Sequence, residues 1–202
     1  MPMKRSIILF FSFFILPLSY AQKDSADLVK EVVEFRENLN KEYKDPEMSP
    51  LEKEKREAFK QINFFPVNLK YVVMAKFVRT PDEKVFAMPT SGNTKKDYVK
   101  YGEVQFLLMG KQYKLSVYQS IDLLKDRKFR NYLFIPFRDA TSSKETYGGG
   151  RYIDLTIPKT DTITINFNLA YHPYCAYTEG YNCPIPPREN YLPVKVEAGV
   201  RF

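Results

Sequence analysis

The stretch VQFLLMGKQYKLSV, residues 104 to 117, carries the clearest β-hairpin pattern in the chain. Apolar side chains at Val104, Phe106 and Leu108 alternate with their neighbours, so they share one face of a strand. Gly110–Lys111 is predicted to turn the chain, and the alternation resumes after it. This stretch therefore predicts two antiparallel strands joined by a tight turn.

A period of two recurs on both sides of this hairpin, without a helical pattern between the strands. The other predicted strands are Leu69–Val78, Lys84–Met88, Asn131–Phe137, Arg151–Ile157, Thr162–Phe167 and Leu192–Ala198. The strands at 151–157 and 162–167 are expected to form a second hairpin around residues 158–161. About eight strands without helical crossovers predict a mainly β (α+β) fold, with an antiparallel barrel-like or sandwich sheet.

Two helices are predicted before the strands, within residues 24–60. The first has one apolar stripe at helical spacing, made by Leu28, Val32, Phe35, Leu39 and Tyr43. The second is predicted from Ser49-Pro50-Leu51-Glu52, which has the spacing of a capping box, and it should end near Lys60. We expect both helices to lie on one face of the sheet or to cover an open end of it.

The first 21 residues have the pattern of a secretory signal peptide. Lys4 and Arg5 precede an apolar run at 7–18, and small residues precede a cleavage point after Ala21. We therefore expect an exported protein, periplasmic or secreted, whose mature chain at 22–202 forms one β-rich domain. No later segment is long and apolar enough to predict a transmembrane helix.

The charge is unevenly distributed along the expected mature chain. Residues 22–60 carry a net charge of −2, whereas residues 61–202 carry +7. Because export makes nucleic acid an unsuitable partner, we expect no nucleic-acid binding. The positive charge is compatible with a small anionic ligand, with an anionic envelope surface, or simply with solubility.

A loop between two predicted strands collects residues that could bind an anionic ligand. The candidate ligand-binding residues are Arg138, Thr141, Tyr147, Gly149, Gly150, Arg151, Tyr152, Asp154 and Tyr177. Arginine forks hold carboxylates and phosphates, and a glycine-rich backbone can bend its N–H groups around an anion. Alternatively, the glycines supply positive φ in a wide turn, and the arginines pair with aspartates to lock neighbouring strands.

Two carboxylates near this loop are candidate catalytic residues. In a hydrolase or lyase acting on an envelope or carbohydrate substrate, Asp139 or Glu145 would be the general base, and the arginines would stabilise developing negative charge. Three functions therefore remain open at this point. They are a small-ligand-binding domain, such an enzyme, and a structural envelope protein.

Cys175 and Cys183 lie in a proline-rich segment at 172–193. In an oxidising compartment a single cysteine pair is expected to form a disulfide. Free thiols are an alternative, and so is a metal site that includes His172, although the spacing H-x2-C-x7-C matches no strong zinc pattern. We expect no metal and no cofactor, and the sequence does not predict an oligomeric state.

Several motifs together resemble the signature of a widespread bacterial family that is known only as a domain of unknown function. They are FRDAT at 137–141, ETYGGGRYID at 145–154, NFNLAY at 166–171, CAY at 175–177, CP at 183–184 and PREN at 187–190. The resemblance implies that residues 134–190 form the functional part, but it implies no activity. Similar sequences usually have Asn where this chain has His172. Similar chains without a signal peptide imply that the disulfide is not essential to the fold.

Overall fold

Eight strands form one strongly curled half-barrel sheet in the computed structural model, which describes residues 24–202. The predicted signal peptide at 1–21 lies outside the described residues. The helices are α1 (Ser25–Lys44) and α2 (Lys53–Ala58). The strands are β1 (Val72–Arg79), β2 (Phe86–Pro89), β3 (Lys95–Leu108), β4 (Lys111–Ser120), β5 (Tyr132–Asp139), β6 (Arg151–Thr156), β7 (Thr162–Asn166) and β8 (Tyr191–Leu192).

The sheet has the strand order β6-β5-β4-β3-β1-β7, with β2 paired to β3 and β8 paired to β5. All of these pairs are antiparallel except β5–β8. The predicted mainly β fold class, with about eight strands and two N-terminal helices, is thereby confirmed. No helix among residues 24–202 is both long and apolar enough to cross a membrane.

The predicted hairpin at 104–117 is confirmed as β3 and β4. Leu108 pairs with Lys111, so the turn consists of Met109 and Gly110, one residue earlier than predicted. Both turn residues have positive φ, 51° and 77°. This two-residue turn matches the right-handed twist of the strands that it joins.

The predicted hairpin between 151–157 and 162–167 is wrong. β6 pairs with β5 and β7 pairs with β1, so these strands form the two opposite edges of the sheet. The connecting residues are tied to both sides, because Ile157 N donates to Asn131 O (2.8 Å) and Asp161 O accepts from Phe77 N (2.7 Å). The curl of the sheet brings its edges close enough for a short connection, although they do not pair.

The sheet buries side chains on both of its faces. Along β5, Leu133, Ile135 and Phe137 belong to the main core, whereas Phe134 points to the opposite face. The second face carries a smaller, mostly aromatic cluster of Met88, Tyr98, Tyr118, Phe134 and Tyr152. Because this face is also covered, the buried runs of β4 and β5 are nearly continuous.

The second helix begins later than predicted. Glu52 is its N-cap residue and makes no side-chain cap, so the predicted capping box does not form. Ser49 Oγ instead donates to Tyr43 O (2.7 Å) and accepts from Leu51 N (3.1 Å). Ser49 therefore fastens the end of α1 to the following loop, and Leu51 is buried there.

The last predicted strand, 192–198, is also shorter than expected. Only Tyr191 and Leu192 form a strand, which runs parallel to β5. Beyond it, Val196 N donates to the carboxylate of Asp139 (2.7 Å) instead of to a neighbouring strand. The Asp139 side chain thus accepts a hydrogen bond that, in a sheet, the backbone of a neighbouring strand would accept.

Candidate functional site

Arg151 and Asp139 form a buried ion pair inside the half-barrel. Their side chains are each 1% exposed, and Arg151 Nη2 lies 3.2 Å from Asp139 Oδ1. Arg151 also donates to Val196 O (2.8 Å) and to Ala198 O. Asp139 accepts from Val196 N and from Thr141 Oγ1 (2.8 Å).

This network holds the C-terminal segment against the sheet. Burial lowers the pKa of Arg151, and the charge of Asp139 partly offsets that effect. The geometry matches the structural alternative of arginine–aspartate pairs that lock neighbouring segments. Arg151, Asp139 and Thr141 are therefore not placed where a dissolved ligand could contact them.

Gly149 and Gly150 occupy positions of the loop where a larger side chain would not fit. Gly150 has φ +94°, and a Cβ atom there would lie 2.6 Å from Phe137 O and from the Pro186 ring. A Cβ atom at Gly149 would overlap the Tyr147 ring. The loop thus provides the positive φ and close packing of the structural alternative.

The remaining charged candidates of the loop are separate from one another. Glu145 makes a surface ion pair with Lys195 (2.5 Å), and this hydrogen bond lowers the pKa of Glu145. Arg138 is partly buried and packs beside Gly150. The structure does not bring Arg138, Glu145 and Arg151 to one open cavity.

His172 forms a separate cluster with Tyr147 and Tyr177, in which the histidine is buried and the two tyrosines are partly buried. His172 Nε2 accepts from Tyr147 N (3.1 Å), so the proton lies on Nδ1, which donates to Tyr177 OH (3.2 Å). Burial lowers the pKa of His172 to about 3, with a smaller contribution from Arg151. His172 is therefore a neutral structural residue, and Tyr177 packs on Tyr43 at 5.1 Å.

A cavity of about 460 Å³ lies on the other face of the sheet, beneath α1. Its walls are α1, strands β3, β5 and β6, and the segment 171–184. Eight lining residues are aromatic, namely Phe35, Tyr98, Tyr132, Phe134, Tyr152, Tyr171, Tyr174 and Tyr181. The size and lining are those of a small-molecule site.

Asp154 is the main polar group of this cavity. Its Oδ1 accepts hydrogen bonds from Tyr132 OH (2.8 Å) and Tyr171 OH (2.7 Å). Asp154 is exposed to solvent by its accessible surface, and the hydroxyl groups of Tyr132 and Tyr171 cover part of its carboxylate. Desolvation raises the pKa of Asp154; the two tyrosines act against this effect, and Glu42 adds to it.

The predicted disulfide between Cys175 and Cys183 is confirmed, and it closes part of the cavity wall. Cys183 lines the cavity, and the next residue, Pro184, accepts a hydrogen bond from Tyr152 OH. Tyr152 also packs edge-on against Phe134 (5.5 Å). The cross-linked segment is thus fastened to the second face of the sheet.

A second cavity, of about 910 Å³, adjoins the first between the sheet edges β6 and β7. Tyr132 and Asp154 line both cavities, so the two meet at this pair. One face of α1 lines both, through Leu28, Glu31, Phe35, Leu39 and Glu42. The combined space is a groove between α1 and the sheet, which we call the α1 groove.

Of the candidate ligand-binding residues from the sequence, Tyr152 and Asp154 line the α1 groove. Sequence reasoning missed Glu42, Tyr132 and Tyr171. The period of two along β6 places Tyr152 and Asp154 together and Arg151 on the opposite face, and this signal was available in the sequence. Within residues 24–202, no group of three or more His, Cys, Asp or Glu side chains could hold a metal ion.

The protein is therefore a mainly β half-barrel in which the second face of the sheet is also covered. A family model described as "Protein of unknown function (DUF1684)" matches residues 57–201, and the chain belongs to this family. The resemblance inferred from the sequence motifs is confirmed at the level of the family. The match begins after α1, which supplies one wall of the groove.

The chain is also similar to a solved structure, the solution NMR structure of an uncharacterised protein of Haloarcula marismortui. The two share 30% identity and a TM-score of 0.69, over 89% of this chain and 96% of the other. No curated protein matches this sequence. The similarity therefore supports the fold and assigns no activity.

Proposed function

We propose that this protein binds a small organic cation in the α1 groove. The observation that carries the proposal is Asp154, a carboxylate in an aromatic cavity whose Oδ1 is held by Tyr132 and Tyr171. No residue among 24–202 donates a hydrogen bond to its Oδ2. That oxygen is therefore available to a ligand.

The charges around the smaller cavity support a cationic ligand. Glu42 and Asp154 line it, against the single cation Lys96. Aromatic faces also attract cations through the negative potential above the ring. The anionic ligand expected from the sequence depended on Arg138 and Arg151, neither of which lines this cavity, so a cationic ligand is the better proposal.

We further propose that binding takes place outside the cytoplasm. The predicted signal peptide supports export, and the disulfide between Cys175 and Cys183 is compatible with an oxidising compartment. The ligand would then be a solute of the periplasm or of the surrounding medium.

The test uses tetramethylammonium chloride as the probe and sodium chloride at equal ionic strength as the reference. Tyrosine fluorescence reports binding, since the chain has 15 Tyr and no Trp. Asp154→Asn should weaken binding about tenfold or more, because it removes the negative charge that would pair with the cation. Asp82→Asn, which changes an exposed carboxylate in a turn, is the matched control. Equal binding by the wild type and Asp154→Asn would refute the proposal.

A hydrolase is the second candidate, and the same carboxylate favours it. The raised pKa of Asp154 suits a general acid, and Glu42 provides a second carboxylate in the cavity. These residues would replace Asp139 and Glu145 in the catalytic roles expected from the sequence. Product release from aryl glycosides that is lost in Asp154→Asn and kept in Asp82→Asn would favour this alternative.

A further inference from the structure

A third cavity, with a mostly polar lining, lies on the side of α1 near the C-terminal residues, and it is lined by two arginines. Its volume is about 540 Å³, and its lining consists of Arg36, Asn40, Gln61, Ile62, Asn63, Phe64 and Arg201. No Asp or Glu belongs to this lining. Two positive charges therefore face a space that has no carboxylate in its wall.

Arg36 is fixed in place by contacts that leave its charge uncompensated. Its guanidinium stacks on the Phe64 ring at 4.6 Å, and Nη2 donates to Phe65 O (2.7 Å). Nε is shielded from solvent and has no partner among the described residues. Burial lowers the pKa of Arg36, and no acidic neighbour acts against this effect.

Arg201 approaches the same pair of phenylalanines from the C-terminal segment. Its Cζ lies 5.5 Å from the centre of the Phe65 ring, and its backbone N donates to Asn63 O (3.0 Å). Its Nε donates to Phe202 O (3.2 Å), which leaves the two terminal nitrogens for other partners. Arg36 thus packs on Phe64 and Arg201 packs on Phe65, and both arginines reach the same cavity.

Asn40 adds a neutral donor to the same wall. Its Oδ1 accepts from Ile62 N (2.7 Å), which fixes the orientation of the amide. Its Nδ2 group is then left to donate elsewhere. Forked guanidinium groups with an amide donor match the oxygens of a phosphate group.

We propose that Arg36 and Arg201 bind an oxyanion, a phosphate group of a soluble molecule or of a lipid headgroup. This site is independent of the α1 groove, because none of its lining residues borders that groove. It is also distinct from the buried Arg151. The attraction falls with added salt, since Arg201 is exposed.

The experiment titrates ¹⁵N-labelled protein with sodium phosphate against sodium chloride at equal ionic strength, and follows amide shifts near residues 61–65. Arg201→Gln and Arg36→Gln should each weaken saturable binding about tenfold or more, since each removes charge-assisted hydrogen bonds. Arg79→Gln is the matched control, because Arg79 also stacks on an aromatic ring and donates to a backbone oxygen, but outside this cavity.

Arg201→Gln keeps the test decisive if Arg36→Gln destabilises the fold, because Arg201 is exposed. Unsaturable shifts in the wild type, or equal losses in Arg79→Gln, would overturn the proposal. Sedimentation with phosphatidylglycerol vesicles, abolished in Arg201→Gln, identifies a lipid headgroup as the source. Phosphate binding without sedimentation identifies a soluble phosphate.

Discussion

Replacing Arg151 by methionine tests the role of the buried network most directly. The change removes the ion pair with Asp139 and the hydrogen bonds to Val196 O and Ala198 O. It also leaves the Asp139 carboxylate buried without its countercharge. Removing one partner of a buried pair costs about 3–5 kcal/mol, a large part of the 5–15 kcal/mol that typically stabilises a domain.

Urea unfolding followed by far-UV circular dichroism measures this loss of stability. In a separate thermal scan of a chain of this size, we expect the midpoint of unfolding to fall by about 6–20 °C. Arg79→Met, which alters an exposed arginine that stacks on Tyr101, should change stability by no more than about 1 kcal/mol. The double variant Arg151→Met with Asp139→Leu should recover much of the loss, because no buried charge remains unpaired.

A loss below about 1 kcal/mol in Arg151→Met would refute this reasoning. It would mean that the structure accommodates the Asp139 carboxylate without its partner, so that the pair does not hold the C-terminal segment. A double variant no more stable than the single one would instead show that hydrogen bonds to the backbone, rather than the charges, carry the energy.

Three further predictions concern other residues. In the wild type His172 is buried and neutral, so only the unfolded state binds its proton between about pH 6.5 and pH 3. The free energy of unfolding should therefore fall by up to about 1.4 kcal/mol per pH unit as the pH drops through this range. His172→Asn should remove this slope in urea titrations at several pH values. Cys175→Ser with Cys183→Ser should lower the free energy of unfolding by about 2–3 kcal/mol and keep the native circular dichroism spectrum, whereas an unfolded variant would contradict it. Because the pKa of Asp154 is raised in the folded state, its ionisation destabilises the fold as the pH rises from about 4 through the folded-state pKa. Asp154→Asn should therefore raise the melting temperature at neutral pH and have little effect below about pH 4. A lower melting temperature of this variant at neutral pH would contradict the prediction.

Local patterns predicted the strands well where neighbours in sequence are also neighbours in the sheet. The hairpin at 104–117 is such a case, because its alternation and its glycine turn are both short-range signals. The pairing of β6 with β5 and of β7 with β1 depends on the curl of the whole sheet. A turn sequence between two strands does not report that curl, so the second hairpin was predicted wrongly.

The same limit explains why the sequence grouped Arg151 and Asp154 in one candidate site. Arg151 and Asp154 are three residues apart on one strand, so their side chains must point to opposite faces. Arg151 enters the core, where Asp139 and the backbone of the C-terminal segment surround it. Asp154 enters the α1 groove. Proximity in sequence suggested one site, whereas the pleat of the strand divides the residues between two environments.

The α1 groove could not be assembled from the sequence because its walls come from segments far apart in the chain. Phe35, Leu39 and Glu42 share one face of a helix that the sequence predicted, but no local signal shows which part of the sheet this face covers. Desolvation is the main cause of the raised pKa of Asp154, and Glu42, which α1 brings to the same cavity, adds to it. The acidic character of the groove is therefore a property of the packing of α1, and a ligand that binds there should respond to changes in either carboxylate.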